Sequence, residues 1–214
     1  WQPGDNLVTT TLEFPGVAAA VASLADRRLL DVRRITPGPD DVATLAAFAE
    51  AFDERTRMVV LSAVAFSTGE RLPVEGVVAL AGASASRVLV VVDGAQAVGA
   101  VPVDVGNLGV DFLALAFVRS DKDVKILRDL LDQNGHGTLP IIAKIEMPQA
   151  IDNIEGIFDS VEGIMVARGD LGVEMLPEEV PLIQNELVRL AISKNKPVIV
   201  ATQMLESMIE SSRP

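Results

Sequence analysis

Apolar residues in this chain gather in short, β-branched runs, and the stretches between those runs carry apolar residues at helical spacing. Eight runs predict strands: Leu7–Thr11, Leu29–Ile35, Met58–Ser62, Val88–Val92, Phe112–Val118, Ile141–Glu146, Gly163–Ala167 and Val198–Ala201. Each is near-continuous in apolar character rather than alternating, as strands covered on both faces of a parallel sheet should be. Helices are predicted over Val17–Ala25, Asp40–Phe52, Val74–Ala83, Asp121–Gln133, Pro148–Phe158 and Glu178–Lys194. Within Pro148–Phe158, Ile151, Ile154, Ile157 and Phe158 share one helical face. Glu178 and Glu179 fall in the expected first turn of the last helix, where the macrodipole favours acids. Strand and helix alternate throughout, which predicts an α/β protein with a mainly parallel sheet of about eight βα units.

Composition narrows the partners. The 214 residues carry 18 Lys+Arg against 30 Asp+Glu, a formal net charge of −12, with no Cys and one His. That length suits one large domain or two small ones. Lack of cysteine excludes a disulfide framework and a thiolate metal site, and points to the cytoplasm. An acidic chain of pI ≈ 4.5 offers no basic footprint for nucleic acid or anionic lipid. Mean hydropathy is +0.35, yet the apolar runs are short: Val88–Val92 lies between Arg87 and Asp93. A bilayer span needs about 20 apolar residues, so no membrane association is expected. The start, Trp1-Gln2-Pro3-Gly4-Asp5, lacks the pattern of a signal peptide.

Residue usage then changes in mid-chain. Up to Ala116 the only isoleucine is Ile35, whereas twelve follow from Ile126 to Ile209. Lysine is absent before Lys122 and then occurs at Lys122, Lys125, Lys144, Lys194 and Lys196. Selection on one domain gives no physical reason to bar lysine from half its surface. The pattern predicts a join of two unrelated sequences near Val110 to Arg119. No Pro/Gly/Ser-rich linker marks that point, so the join is expected inside a folded element.

Polar residues at strand carboxyl ends are the candidates for chemistry in α/β folds. Asp93 follows the run Val88–Val92 and precedes Gly94-Ala95-Gln96. It could hold a cationic ring nitrogen or simply cap a following helix. A second cluster is richer. Lys144 and Glu146 stand two apart on one strand face, and Ala167-Arg168-Gly169-Asp170 closes the next strand. Two carboxylates beside a lysine, with backbone amides after Gly169, suit a divalent cation and an anionic substrate. The alternative is a set of salt bridges on the rim with little energetic value.

Several long motifs carry a family resemblance. Phe117-Val118-Arg119-Ser120, Ile142-Ala143-Lys144-Ile145-Glu146, Gly163 to Glu174 and Pro197 to Met208 closely resemble pyruvate kinase, in the later half of its (βα)8 barrel. The resemblance covers roughly Val110 to Pro214. It implies that Lys144 stabilises a phosphoryl group in flight and that Glu146 and Asp170 are magnesium ligands. It also implies that the amides of Ala167, Arg168 and Gly169 take a substrate carboxylate, and that Thr202 stands near the enol carbon. Ala116 departs from the usual Ser, and Leu176-Pro177 stands where Pro-Leu is usual.

From Gly4 to about Ala114 the chain resembles pyridoxal-phosphate enzymes of the class V aminotransferase and cysteine desulfurase group. The carrying residues are Gly4 to Thr10, Asp53-Glu54-Arg55-Thr56-Arg57, Thr68-Gly69 and Val91 to Gly99. Asp93 then matches the partner of the pyridine nitrogen, and Gln96 the residue beside the phenolic oxygen. After Val110 to Ala114 that family reaches its Schiff-base lysine, but this chain reads Phe117-Val118-Arg119. The family's phosphate-binding segments would precede Trp1.

Both families run a Val-Asp-Phe strand at this point, so residues 1–114 and 115–214 are expected to join within one strand as a single folding unit. Such a mosaic implies an engineered chimera whose fold survives while both sites are incomplete. The expected architecture is a flavodoxin-like start of order 2-1-3-4-5 continued by a half TIM barrel. An open or partly curled sheet is preferred over a closed (βα)8-like barrel, because right-handed crossovers place the first helix where a barrel interior has no room. An uncovered sheet face predicts self-association into a homo-oligomer. No cofactor is expected: pyridoxal phosphate lacks its lysine, and magnesium, with phosphoenolpyruvate or oxalate, is the one ligand set the remaining residues suit.

Overall fold

The computed structural model describes residues 1–97, 100–104 and 109–201. The chain divides into two compact units, Trp1–Gly109 and Val110–Pro214. The first holds strands β1 (Asn6–Thr10), β2 (Asp31–Ile35), β3 (Thr56–Ser62) and β4 (Leu89–Asp93) with helices α1 (Pro15–Arg28), α2 (Asp41–Ala51) and α3 (Val74–Ala83). Its sheet is parallel throughout, with order β2-β1-β3-β4. That is the expected flavodoxin-like start.

The helices of this unit are built from local signals. Pro15 opens α1, where a missing N–H costs nothing. Asp40 caps α2 by accepting the Ala43 N–H at 2.8 Å. Val17, Val21 and Leu24 of α1 pack on Leu7, Val32, Met58 and Val60. Leu89 and Val91 of β4 lie in register with Met58 and Val60, on the same face. They lie beyond the cluster that α1 covers and stay about half exposed, at 46% and 45%. The apolar run of β4 therefore does not mean cover on both faces.

A polar knot ties the amino ends of β1 and β3. Asn6 donates to Asp53 and accepts from the Thr56 hydroxyl, each at 2.8 Å, and Arg33 donates to Asp53 at 2.6 Å. Asp5 is buried, accepts the Gln2 N–H at 2.8 Å and faces Arg57 at 3.3 Å.

The second unit holds β5 (Leu113–Leu115), β6 (Ile141–Ile145), β7 (Gly163–Ala167) and β8 (Val198–Ala201). Its helices are α4 (Asp121–Gln133), α5 (Pro148–Asp152), α6 (Ile154–Ser160), α7 (Arg168–Glu174) and α8 (Val180–Ser193). The four strands form a separate parallel sheet of order β5-β6-β7-β8. Among the described residues the strands thus make two sheets of four rather than one run of eight, and no closed barrel forms. The helix-side core gathers Ile141, Ala143, Ile145, Ile164 and Val166 with Val124, Leu131, Ile157, Phe158 and Leu187.

Three predicted elements come out differently. The run Phe112–Val118 pairs only over Leu113–Leu115, because Phe117 takes a left-handed backbone with φ 55°. The helix expected over Pro148–Phe158 breaks at Asn153, whose side-chain amide donates to the carbonyls of Gln149 and Arg119. Helix α8 begins at Val180 with Pro181 in its first turn, which leaves Glu178 and Glu179 outside the turn they were expected to occupy. Helix α7 was not predicted at all.

Two outcomes follow from this packing. Phe158→Ala empties a fully buried aromatic site and should lower unfolding free energy by about 3–5 kcal/mol in urea titration. Burial raises the Asp53 pKa, but hydrogen bonds from Arg33, Asn6 and the Arg55 amide outweigh it and bring it to about 2. A carboxyl depressed in the fold stabilises it fully above the unfolded value and loses that contribution as pH falls toward the folded one. The urea midpoint of the native protein should therefore fall between about pH 4 and pH 2, and Asp53→Asn should flatten that slope.

Candidate functional site at the strand carboxyl ends

In the second unit, β6 and β7 deliver a charged cluster to one rim. Lys144 projects from β6 and its ammonium meets Glu146 Oε2 at 2.5 Å and Asp170 Oδ2 at 3.0 Å. Glu146 is 1% exposed, and its Oε1 accepts the backbone N–H of Phe117 at 2.5 Å. Burial opposes the charge on Lys144, but hydrogen bonds to the two carboxylates prevail and raise its pKa above the ordinary lysine value. Arg168 is buried and donates to Gln184 of α8 at 2.7 Å. Ala167, Arg168 and Gly169 form the end of β7 and the start of α7. Thr202 lies outside the described residues.

The structure thus brings together Lys144, Glu146 and Asp170, with Ala167 to Gly169 beside them in sequence. Magnesium takes hard oxygen donors, often one or two carboxylates completed by water and substrate. Here the ammonium of Lys144 itself joins the two carboxylates, and one Glu146 oxygen serves Phe117. Among the described residues no three acidic, His or Cys groups converge as a metal cluster. In this arrangement the residues make an ion-pair triad, and a magnesium ion would have to displace the Lys144 ammonium to use the carboxylates of Glu146 and Asp170.

The first unit has its own pocket at the carboxyl ends of β3 and β4. A cavity of ≈ 130 Å³ is lined by Phe14, Ser62, Phe66, Asp93 and Gln96, among others. Asp93 Oδ1 accepts the Ala95 N–H at 2.9 Å, so the carboxylate caps a turn rather than a helix. Phe14 and Phe66 meet edge to face with centroids 5.1 Å apart. Ser62 of the lining donates its hydroxyl to Glu13 at 2.7 Å, and Glu13 also accepts the Thr10 hydroxyl at 2.6 Å. Sequence reasoning missed Glu13, Phe14 and Phe66, since no spacing signal links positions about fifty residues apart. It also missed Phe117, whose contribution is a backbone amide.

Two family models match the chain: aminotransferase class V over residues 1–117, and the pyruvate kinase barrel domain over residues 96–214. The chain belongs to both families, one in each part. The matched segments overlap at residues 96–117, which contain the shared Val110-Asp111-Phe112 sequence. The pyruvate kinase part is 56% identical over 108 residues to a pyruvate kinase of Mycobacterium tuberculosis, covering 50% of this chain and 23% of that protein. A pyruvate kinase of Corynebacterium efficiens is 55% identical over 108 residues, with 50% and 23% covered. One of Bacillus licheniformis is 51% identical over 106 residues, with 50% and 18% covered. The chain therefore spans less than a quarter of the length of these curated relatives.

Asp93 and Gln96 line the pocket of the aminotransferase part, and the match to that family ends at Phe117. In the fold, Phe117 serves the pyruvate kinase part instead, through Glu146.

Removing the charge that Glu146 and Asp170 share tests the triad. Lys144→Met strands a buried carboxylate and should cost about 3–5 kcal/mol in urea unfolding at pH 7. A raised lysine pKa stabilises the fold fully below the unfolded value and loses that contribution only as pH rises through the folded one. The native protein should accordingly hold its advantage over Lys144→Met until pH exceeds the ordinary lysine range, then converge on it.

Proposed function

We propose that this protein is an engineered chimera, folded but without a complete active site, made to test recombination of α/β fragments. The observation that carries the reading is the residue at the join. Phe117 occupies the neighbourhood of the aminotransferase lysine, yet its backbone amide is committed to Glu146 of the pyruvate kinase part. A cofactor imine needs a lysine amine, and the first lysine in the chain is Lys122, within α4.

The pyruvate kinase part lacks support of a different kind. Phosphoryl transfer depends on positioning and electrostatics, and four strands supply half of an eight-stranded barrel. Before residue 96 the chain matches the other family alone. A displacement of about 1 Å already costs on the order of 10²-fold in rate. Loss of half the ring leaves a triad in which one ammonium pairs with two carboxylates.

Three measurements test the reading. With phosphoenolpyruvate, ADP and magnesium, pyruvate formation should not exceed that of Lys144→Met; turnover above it overturns the proposal. Incubation with pyridoxal phosphate and borohydride should leave no specifically labelled residue by mass spectrometry. Calorimetric titration with oxalate separates a second reading, weak magnesium-dependent binding at Glu146, Asp170 and the Gly169 amide, which the convergence of Lys144, Glu146 and Asp170 favours. A saturable signal that needs magnesium and vanishes in Asp170→Ala supports that remnant; its absence leaves the first reading standing.

A further inference from the structure

The β5–β8 sheet is finished on one face and unfinished on the other. Strand register places Ala114, Ile142, Gly163, Lys144, Met165 and Ile199 on a single face. The opposite face is the helix-side core, where Ile141, Ala143, Ile145, Ile164 and Val166 are fully buried. On the first face Ile142 and Gly163 of the inner strands are buried and Met165 is partly exposed, whereas Ala114 and Ile199 on the two outer strands are exposed, Ile199 at 42%. Its two edges are also open among the described residues: β5 pairs only with β6, and β8 only with β7.

We propose that this face and these edges are completed by the same four strands of a second copy of the chain. Strand number and direction favour that occupant. In an eight-stranded parallel barrel every strand runs the same way, so the free edge of β8 meets a free edge equivalent to β5. A two-fold axis along the barrel brings β8 of one copy against β5 of the other, and repeats the contact on the far side. Such a contact is self-complementary, as a closed dimer requires. Barrel interiors are filled by layers of four side chains from alternate strands. Four strands in sequence provide two of each four, and the second copy provides the other two.

Charge permits the association. The whole chain carries −12, which opposes self-association in general. This face holds only Lys144 and the adjoining Glu146 as charged groups, and they are paired with each other. The repulsive charge lies elsewhere, so the contact buries apolar side chains without stranding an acid. This inference is independent of catalysis: an inactive dimer leaves both proposals intact, and an active monomer removes both.

The absence of cysteine makes the test direct. In one copy, positions 114 and 199 stand three strand spacings apart, about 14 Å, well beyond disulfide reach. The double variant Ala114→Cys/Ile199→Cys, oxidised and run without reductant, should give a disulfide-linked dimer whose cross-linked peptides join the two positions. Light scattering on the unmodified chain should give twice the monomer mass, and Ile199→Lys should return it to monomer with an unchanged circular dichroism spectrum. A monomeric unmodified chain overturns the proposal. So does a dimer that neither cross-links at these positions nor responds to Ile199→Lys. If Ile199→Lys fails to fold, the cross-link alone decides.

Discussion

A parallel strand cannot turn straight back on itself; the chain must travel the length of the sheet again before the next strand begins. Everything in this protein obeys that requirement. It places helices after β1, β2, β3, β5, β6 and β7, and sets the carboxyl ends of neighbouring strands within each sheet on a common rim. Because both parental families meet the same requirement, a strand from one can take the place of a strand from the other without a reversal of direction. The shared Val110-Asp111-Phe112 leads into β5, the first strand of the second sheet.

The same requirement separates what a fold needs from what a site needs. Backbone ladders and the apolar cores beneath them need only residues of suitable size and pattern. A site needs particular groups from several strand ends. The aminotransferase part sets Asp93 at the end of β4, and the first lysine in the sequence is Lys122. The pyruvate kinase part keeps Lys144, Glu146 and Asp170 within hydrogen-bond distance, yet these groups satisfy one another. The buried Glu146 carboxylate accepts from the Lys144 ammonium and the Phe117 amide.

Polar knots away from the rims serve the fold instead. Asn6, Asp53, Thr56 and Arg33 tie strand starts together, and Glu162 ties Arg128 to the Ile141 amide at the start of β6.

The strands and most helices were legible in the sequence because their signals are local. Gly163–Ala167, Val198–Ala201, Val74–Ala83 and Asp121–Gln133 are found where the apolar pattern placed them. The change in lysine and isoleucine usage likewise marked two origins without any coordinates. Local pattern could not say that Leu89, Val91 and Ile199 would be left partly exposed, because cover depends on which helix lies over which strand. It could not reveal that Phe117 would bend out of its strand to serve a glutamate twenty-nine residues later, or that Glu13 would reach Ser62. Nor could it say that eight strands would part into two sheets of four. Residue order determined the elements and their ancestry; long-range hydrogen bonding and the layering of helices, visible only in three dimensions, decided which groups are spent and which face stays open.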